Sequence, residues 1–135
     1  MLVNYENRYL VDPVAFMAAL VTAPLLVTLI GSPLIVPLAA LPLGLPVYLA
    51  MGTPALLWMV GRYQPGFKTY ALAGLAGQVA LMLILILAAL AFPERLPTAL
   101  PIFAAFGCVF APLWAGTFGR LYRRFYRANR ADLSL

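Results

Sequence analysis

Few side chains in this 135-residue chain could do chemistry, and their placement narrows what that chemistry could be. The four carboxylates, Glu6, Asp12, Glu94 and Asp132, fall in terminal or loop-like segments, so none is positioned as the partner of another for general acid/base work. Histidine is absent, which removes His-ligated heme and the common His/Cys/carboxylate metal clusters. The lone cysteine, Cys108, lies in an apolar run where no charge stabilises a thiolate, and is expected to be a small packing residue. No catalytic, cofactor-binding or metal-ligating residue is therefore expected, and the chain reads as a non-enzyme.

The polar groups that remain suggest contact rather than catalysis. Gln78 is the most polar side chain within an apolar run. Its amide could hydrogen-bond across a helix pair, with Ala73 and Gly77, and Gly74 and Gln78, at the four-residue spacing that lets backbones approach, or it could reach toward headgroups. Gly107, Ala111, Ala115 and Gly119 recur every four residues and form a small-residue stripe flanked by Phe106, Phe110 and Trp114. Such a stripe is a packing face, within the chain or against another subunit. Arg120, Arg123, Arg124 and Arg127 share one helical face, with Arg130 beyond them. This basic cluster is suited to anionic lipid headgroups or to an acidic surface of a partner.

The elements that must carry these residues are apolar to a degree that defines their solvent. The chain is 64% hydrophobic and 10% charged, with net charge +5, whereas soluble domains are nearer half apolar and a quarter charged. The composition describes an all-α integral membrane protein. The N-terminal residues lack the basic region and small-residue cleavage site of a secretory signal, so the first apolar segment is expected to stay as a membrane helix. A basic chain could also suggest nucleic acid, but the remaining residues cannot build a domain to bind it.

Four spans are predicted, at about 13–30, 34–60, 70–92 and 101–119, between an N-terminal segment 1–12 and a basic tail 120–135 that continues as an amphipathic juxtamembrane helix. Asp12-Pro13 and Ser32-Pro33 each pair an N-cap residue with a proline in the first turn. Pro24 and Pro112 are expected to bend their helices. The second span, at roughly 40 Å, exceeds the hydrocarbon core of about 30 Å and must tilt, bend or break. Pro37, Pro42, Pro46 and Pro54 supply the places, and Gly52-Thr53-Pro54 reads as the end of one helix and the cap of the next. Pro65-Gly66 fits the central pair of a type II turn.

An even number of spans puts eight of the nine Lys/Arg on one side, leaving Arg95 alone on the other, so the basic side and both termini are expected to be cytoplasmic. Tyr5, Tyr9, Trp58, Tyr63, Tyr70, Tyr122 and Tyr126 all fall near that interface, as an aromatic belt would. The setting expected is a multi-pass protein of a bacterial inner membrane.

Size and layout invite comparison with small multidrug-resistance exporters. That mechanism needs a glutamate embedded in the first helix, where this chain has Ala, Val, Thr and Leu, so the resemblance fails. The expected role is a non-catalytic accessory, scaffold or assembly subunit of a larger membrane complex, its partners being anionic lipid and other membrane subunits. The alternative is a small oligomeric transporter or pore with its site at the second helix, for which only Thr22, Thr28, Thr53, Gln78 and Thr117 offer a polar lining. A reporter active only outside the cytoplasm is expected to be silent when fused after Leu135 and active when fused after Arg95. The reverse pattern would overturn the four-span topology.

Overall fold

A computed structural model of the chain describes residues 11–31, 36–95 and 100–132. Tyr5, Tyr9 and the Ser32-Pro33 cap lie outside the described residues. The described residues form helices joined by short turns, with no strand among them: α1 (Pro13–Gly31), α2 (Val36–Val47), a π-helical stretch (Tyr48–Gly52), α3 (Thr53–Val60), α4 (Phe67–Ala91), a 3-10 turn (Pro93–Arg95) and α5 (Leu100–Asp132). Three of them, Pro13–Gly31, Phe67–Ala91 and the Pro101–Ala128 part of α5, are long and apolar enough to cross a membrane.

α1 starts where an acidic cap meets a proline. The Asp12 carboxylate accepts hydrogen bonds from the backbone N–H groups of Val14 at 2.9 Å and Ala15 at 3.1 Å, satisfying two donors that the first helical turn leaves free. Pro24 is buried within α1, which stays helical through it.

The second apolar segment departs from the expected break. Gly52 and Thr53 both hold right-handed helical dihedrals, and no side chain caps a new helix there, so Gly52-Thr53-Pro54 is not the end of one helix and the start of another. Helix continues instead through a π turn over Tyr48–Gly52. The widening falls just before Pro54, which cannot donate the α-type bond to the carbonyl four residues back. The extra residue per turn is thus inserted where that bond would be missing.

One further expectation changes. Gly66 is extended, with φ −157° and ψ 154°, and precedes α4 directly, so Pro65-Gly66 does not make the type II turn, whose third residue needs positive φ. α5 runs without interruption past Gly119 and through Pro112, so the last span and the basic tail lie on one helix. Its 33 residues make a rod of about 50 Å, longer than a hydrocarbon core, and the arginine-bearing end extends beyond what a span requires.

Successive rods run antiparallel. α4 and α5 make the most extensive interface: Gly74 faces Ala111 and Ala115, and Gly119 faces Gly66 and Tyr70, so positions rise along one helix as they fall along the other. α1 lies on α5 in the same sense, with the Phe16 and Phe118 rings edge to face at 5.2 Å. The backbone N–H of Asp12 donates to the Tyr122 hydroxyl at 3.2 Å, tying the start of α1 to α5. Ala15, Phe16, Ala19, Leu20, Leu56, Met59, Val60, Tyr70, Phe118 and Tyr122 form the main core, where α1, α3, α4 and α5 meet.

Close approach along α4 and α5 depends on missing side chains. A Cβ on Gly74 would lie 2.6 Å from the Ala111 carbonyl oxygen and 2.8 Å from the Ala115 Cβ, whereas a Cβ on Gly77 would meet nothing within 4 Å. Gly74→Leu is therefore expected to cost about 1 to 3 kcal/mol by overpacking, and Gly77→Ala to leave stability unchanged or slightly raised. Unfolding of the two variants in mixed micelles would check this, and equal losses at both positions would contradict the interface.

Candidate functional site

The expected packing residues fall into two groups once placed. Gly107, Ala111, Ala115 and Gly119 face α4 of the same chain, so the stripe is occupied within the molecule. A Cβ on Gly107 would overlap the Gln78 amide, and one on Gly119 would sit 2.8 Å from the Gly66 carbonyl oxygen. On α4 the facing residues are Phe67, Tyr70, Ala71, Gly74 and Gln78. Ala73 is half-buried against the core, but Gly77 is exposed and takes no part. The two four-residue pairs in the sequence differ by one position, which is about 100° around a helix, and only Gly74–Gln78 faces α5. Gly116 also matters: its Cβ would meet the Phe67 ring at 2.8 Å. It stands beside Ala115 in the sequence but off the strict four-residue repeat, and that concealed it.

Gln78 neither reaches toward the end of its helix nor bonds across the pair. It is only 6% exposed, and its Nε2 has no hydrogen-bond partner among the described residues. Cys108 is exposed on α5 rather than packed in the seam. Tyr70 and Tyr122, expected in an interfacial belt, are buried at 0% and 2% exposure in the core. Trp58 and Tyr63 do remain exposed, with the Arg62 guanidinium 4.7 Å above the Trp58 ring.

The arginine face is open. Arg120, Arg123, Arg124 and Arg127 are all exposed, and none makes an ion pair or hydrogen bond among the described residues, while Tyr122, Phe125 and Tyr126 turn toward the core. The side chain of Arg130 lies outside the described residues. The contacts of Asp12 with Tyr122 and of Gly66 with Gly119 bring the starts of α1 and α4, and hence Arg62 and Lys68, to the same end as this cluster. Glu94, past the far end of α4, lies at the opposite end.

A cavity of about 440 Å³ lies beside the π stretch. The rod containing α2, the π stretch and α3 packs on α1 and α5, and α4 packs on α5, so the cavity opens between that rod and α4 with α5 as its floor. Gly52 lines it, but neither Thr53 nor Pro54 does. Of the five polar residues considered for a lumen, only Gln78 lines it. Tyr48 and Trp114 also line it, their rings edge to face at 5.4 Å. A hydroxyl in the middle of the run between Pro46 and Gly52 was the available signal for Tyr48. Among the described residues no group of three or more His, Cys, Asp or Glu could hold a metal ion.

No protein-family model matches the chain, and comparison with the curated proteins and with the solved structures finds no match either.

The open arginine face generates a direct expectation. Replacing Arg120, Arg123, Arg124 and Arg127 together by Gln should remove most preference of the full chain for anionic over zwitterionic lipid, each charge contributing about 1 kcal/mol near an anionic surface. Spin-labelled phosphatidylglycerol and phosphatidylcholine in bilayers containing the protein would report it. A wild-type chain with no preference would refute the assignment.

Proposed function

We propose that the chain is a four-span protein of a bacterial inner membrane, with both termini cytoplasmic, that serves as a non-catalytic accessory, scaffold or assembly subunit of a larger membrane complex. The observation carrying this reading is the environment of α4. Only Tyr70 and Gln78 are buried along its 25 residues, and its outer surface presents Leu72, Leu83, Ile86, Leu87 and Leu90, all exposed. A span that packs on one neighbour and offers an apolar flank is available to a helix of another subunit. The placement of the charges is compatible with this role, since the described carboxylates Asp12 and Glu94 sit beside helix termini rather than at depth.

The clustering of Arg62, Lys68 and the α5 arginines at one end supports the cytoplasmic orientation of that end. The second rod supports a fourth span by its length: Val36–Val60 covers about 37 Å as continuous helix.

An oligomeric transporter or pore with its site at the second helix is favoured by one observation, the cavity beside the π stretch. Photo-crosslinking from Leu83 and Leu87 in native membranes, with mass analysis of the complex in native nanodiscs, separates the readings. The subunit reading expects adducts to one protein at fixed stoichiometry. Adducts to a second copy of this chain would favour the oligomer, and adducts to lipid alone from a monomer would defeat both.

A further inference from the structure

The outer face of α5 carries a second recess, which unlike the cavity at the π stretch is charged at one end and apolar at the other. It is a groove of about 770 Å³ whose walls come from α5, the first residue of α4 and the flank of α1. Arg120, Arg123, Arg124 and Arg127 all line it, each exposed, and no carboxylate does so among the described residues. Four cations within two helical turns repel one another, so this stretch of α5 gains stability when an anion stands among them.

Spacing selects the anion. Arg120 and Arg124 are four residues apart, as are Arg123 and Arg127, which puts the Cβ atoms of each pair about 6 Å apart on adjacent turns. Two planar guanidinium forks at that distance can close on one phosphate from two sides. The two pairs stand next to each other on the helix, so the groove is matched to two phosphates held close together in one molecule. Its apolar end decides what that molecule is. Thr117 and Leu121, two turns and one turn before Arg124, continue the groove away from the charges, with the exposed Phe67 ring packed on Gly116 beside them. Thr117 lies about 15 Å along α5 from Arg127. Leu26 of α1 also lines the groove, about 20 Å along that helix from Pro13, and Pro13 stands at the arginine end. A soluble polyanion would leave that apolar length bare, whereas a phospholipid covers it with acyl chain.

We propose that this groove is a discrete site for a phospholipid with two phosphates in one headgroup, of the diphosphatidylglycerol type. Each arginine pair holds one phosphate, and the acyl chains lie along Phe67, Thr117 and Leu121 toward Leu26. The assignment rests on the four-span arrangement, in which the arginine end of α5 meets the membrane surface, and on the anionic-lipid reading of the arginine face. It goes beyond that reading by requiring one retained molecule per chain, where a diffuse layer of anionic headgroups would satisfy the charge alone. It holds whether or not the chain joins a larger complex.

The full chain is equilibrated in micelles holding diphosphatidylglycerol, phosphatidylglycerol and phosphatidylcholine at equal phosphate, and the lipid it retains is counted by native mass spectrometry. One diphosphatidylglycerol per chain is expected. Replacing either pair, as Arg120→Gln with Arg124→Gln or Arg123→Gln with Arg127→Gln, should weaken its retention roughly thirtyfold, the equivalent of two charges at about 1 kcal/mol each. The corresponding Lys variants keep the charge without the fork. They should still prefer anionic to zwitterionic lipid but lose the choice of diphosphatidylglycerol over phosphatidylglycerol. The water-soluble deacylated headgroup, added as competitor, should displace the lipid only in large excess. Equal retention of the two anionic lipids by a wild-type chain that still discriminates against phosphatidylcholine would overturn the discrete site and leave the general anionic-lipid reading standing. A wild-type chain with no preference for anionic lipid would overturn both. Retention indifferent to both Gln pairs, or a headgroup that competes as well as the intact lipid, would likewise overturn the proposal.

Discussion

Backbone contact between α4 and α5 is the constraint on which the rest of this molecule depends. Gly74 and Gly119 admit the other helix to a distance that one extra carbon would forbid. Between helices in lipid there is no hydrophobic gain, because the tails are as apolar as leucine, so association rests on dispersion contact and on how many atoms can be brought within range. A glycine on each of the two antiparallel rods, Gly74 against Ala111 and Ala115 and Gly119 against Gly66 and Tyr70, raises that number. α5 then becomes the surface against which α1 and the second rod are arranged.

From that seam the other features follow in turn. With α4 and α1 both packed on α5, the second rod rests on α1 and α5 and leaves a gap beside α4. Aromatic side chains line the α5 side of the gap because Phe106, Phe110 and Trp114 fall at the four-residue spacing of one helical face. The same seam holds the Gln78 amide against Gly107, at the edge of the cavity that this residue helps to line. At the other end the Phe16, Phe118, Tyr70 and Tyr122 rings close the core in edge-on, tilted and stacked contacts.

The π stretch shows how a helix with many prolines can remain a helix. Pro42 and Pro46 lie inside α2, and Pro54 follows at the start of α3, yet the rod stays continuous. A five-residue turn places the irregularity in one location and spreads it over a whole turn of backbone, next to a cavity rather than among tightly packed side chains. That location matters in lipid, where an exposed, unbonded backbone group has no water to turn to.

Composition and spacing alone determine much here. The apolar fraction and the placement of Asp12-Pro13 specify helices and where the first begins, and the arginine spacing specifies a charged face, because these depend on neighbours within one or two turns of the chain. Whether Gly52-Thr53-Pro54 breaks a helix was not legible, since a proline permits a kink, a break or a π turn, and the surroundings of the helix select among them. Nor could the sequence separate Gly74 from Gly77, or bring Tyr48 beside Trp114. Those outcomes depend on the rotation of each rod about its own axis, which near-uniformly apolar helices do not encode in any hydrophobic face. Only mutual packing sets it, and so only the tertiary structure decides which small residues meet and which residues line a cavity.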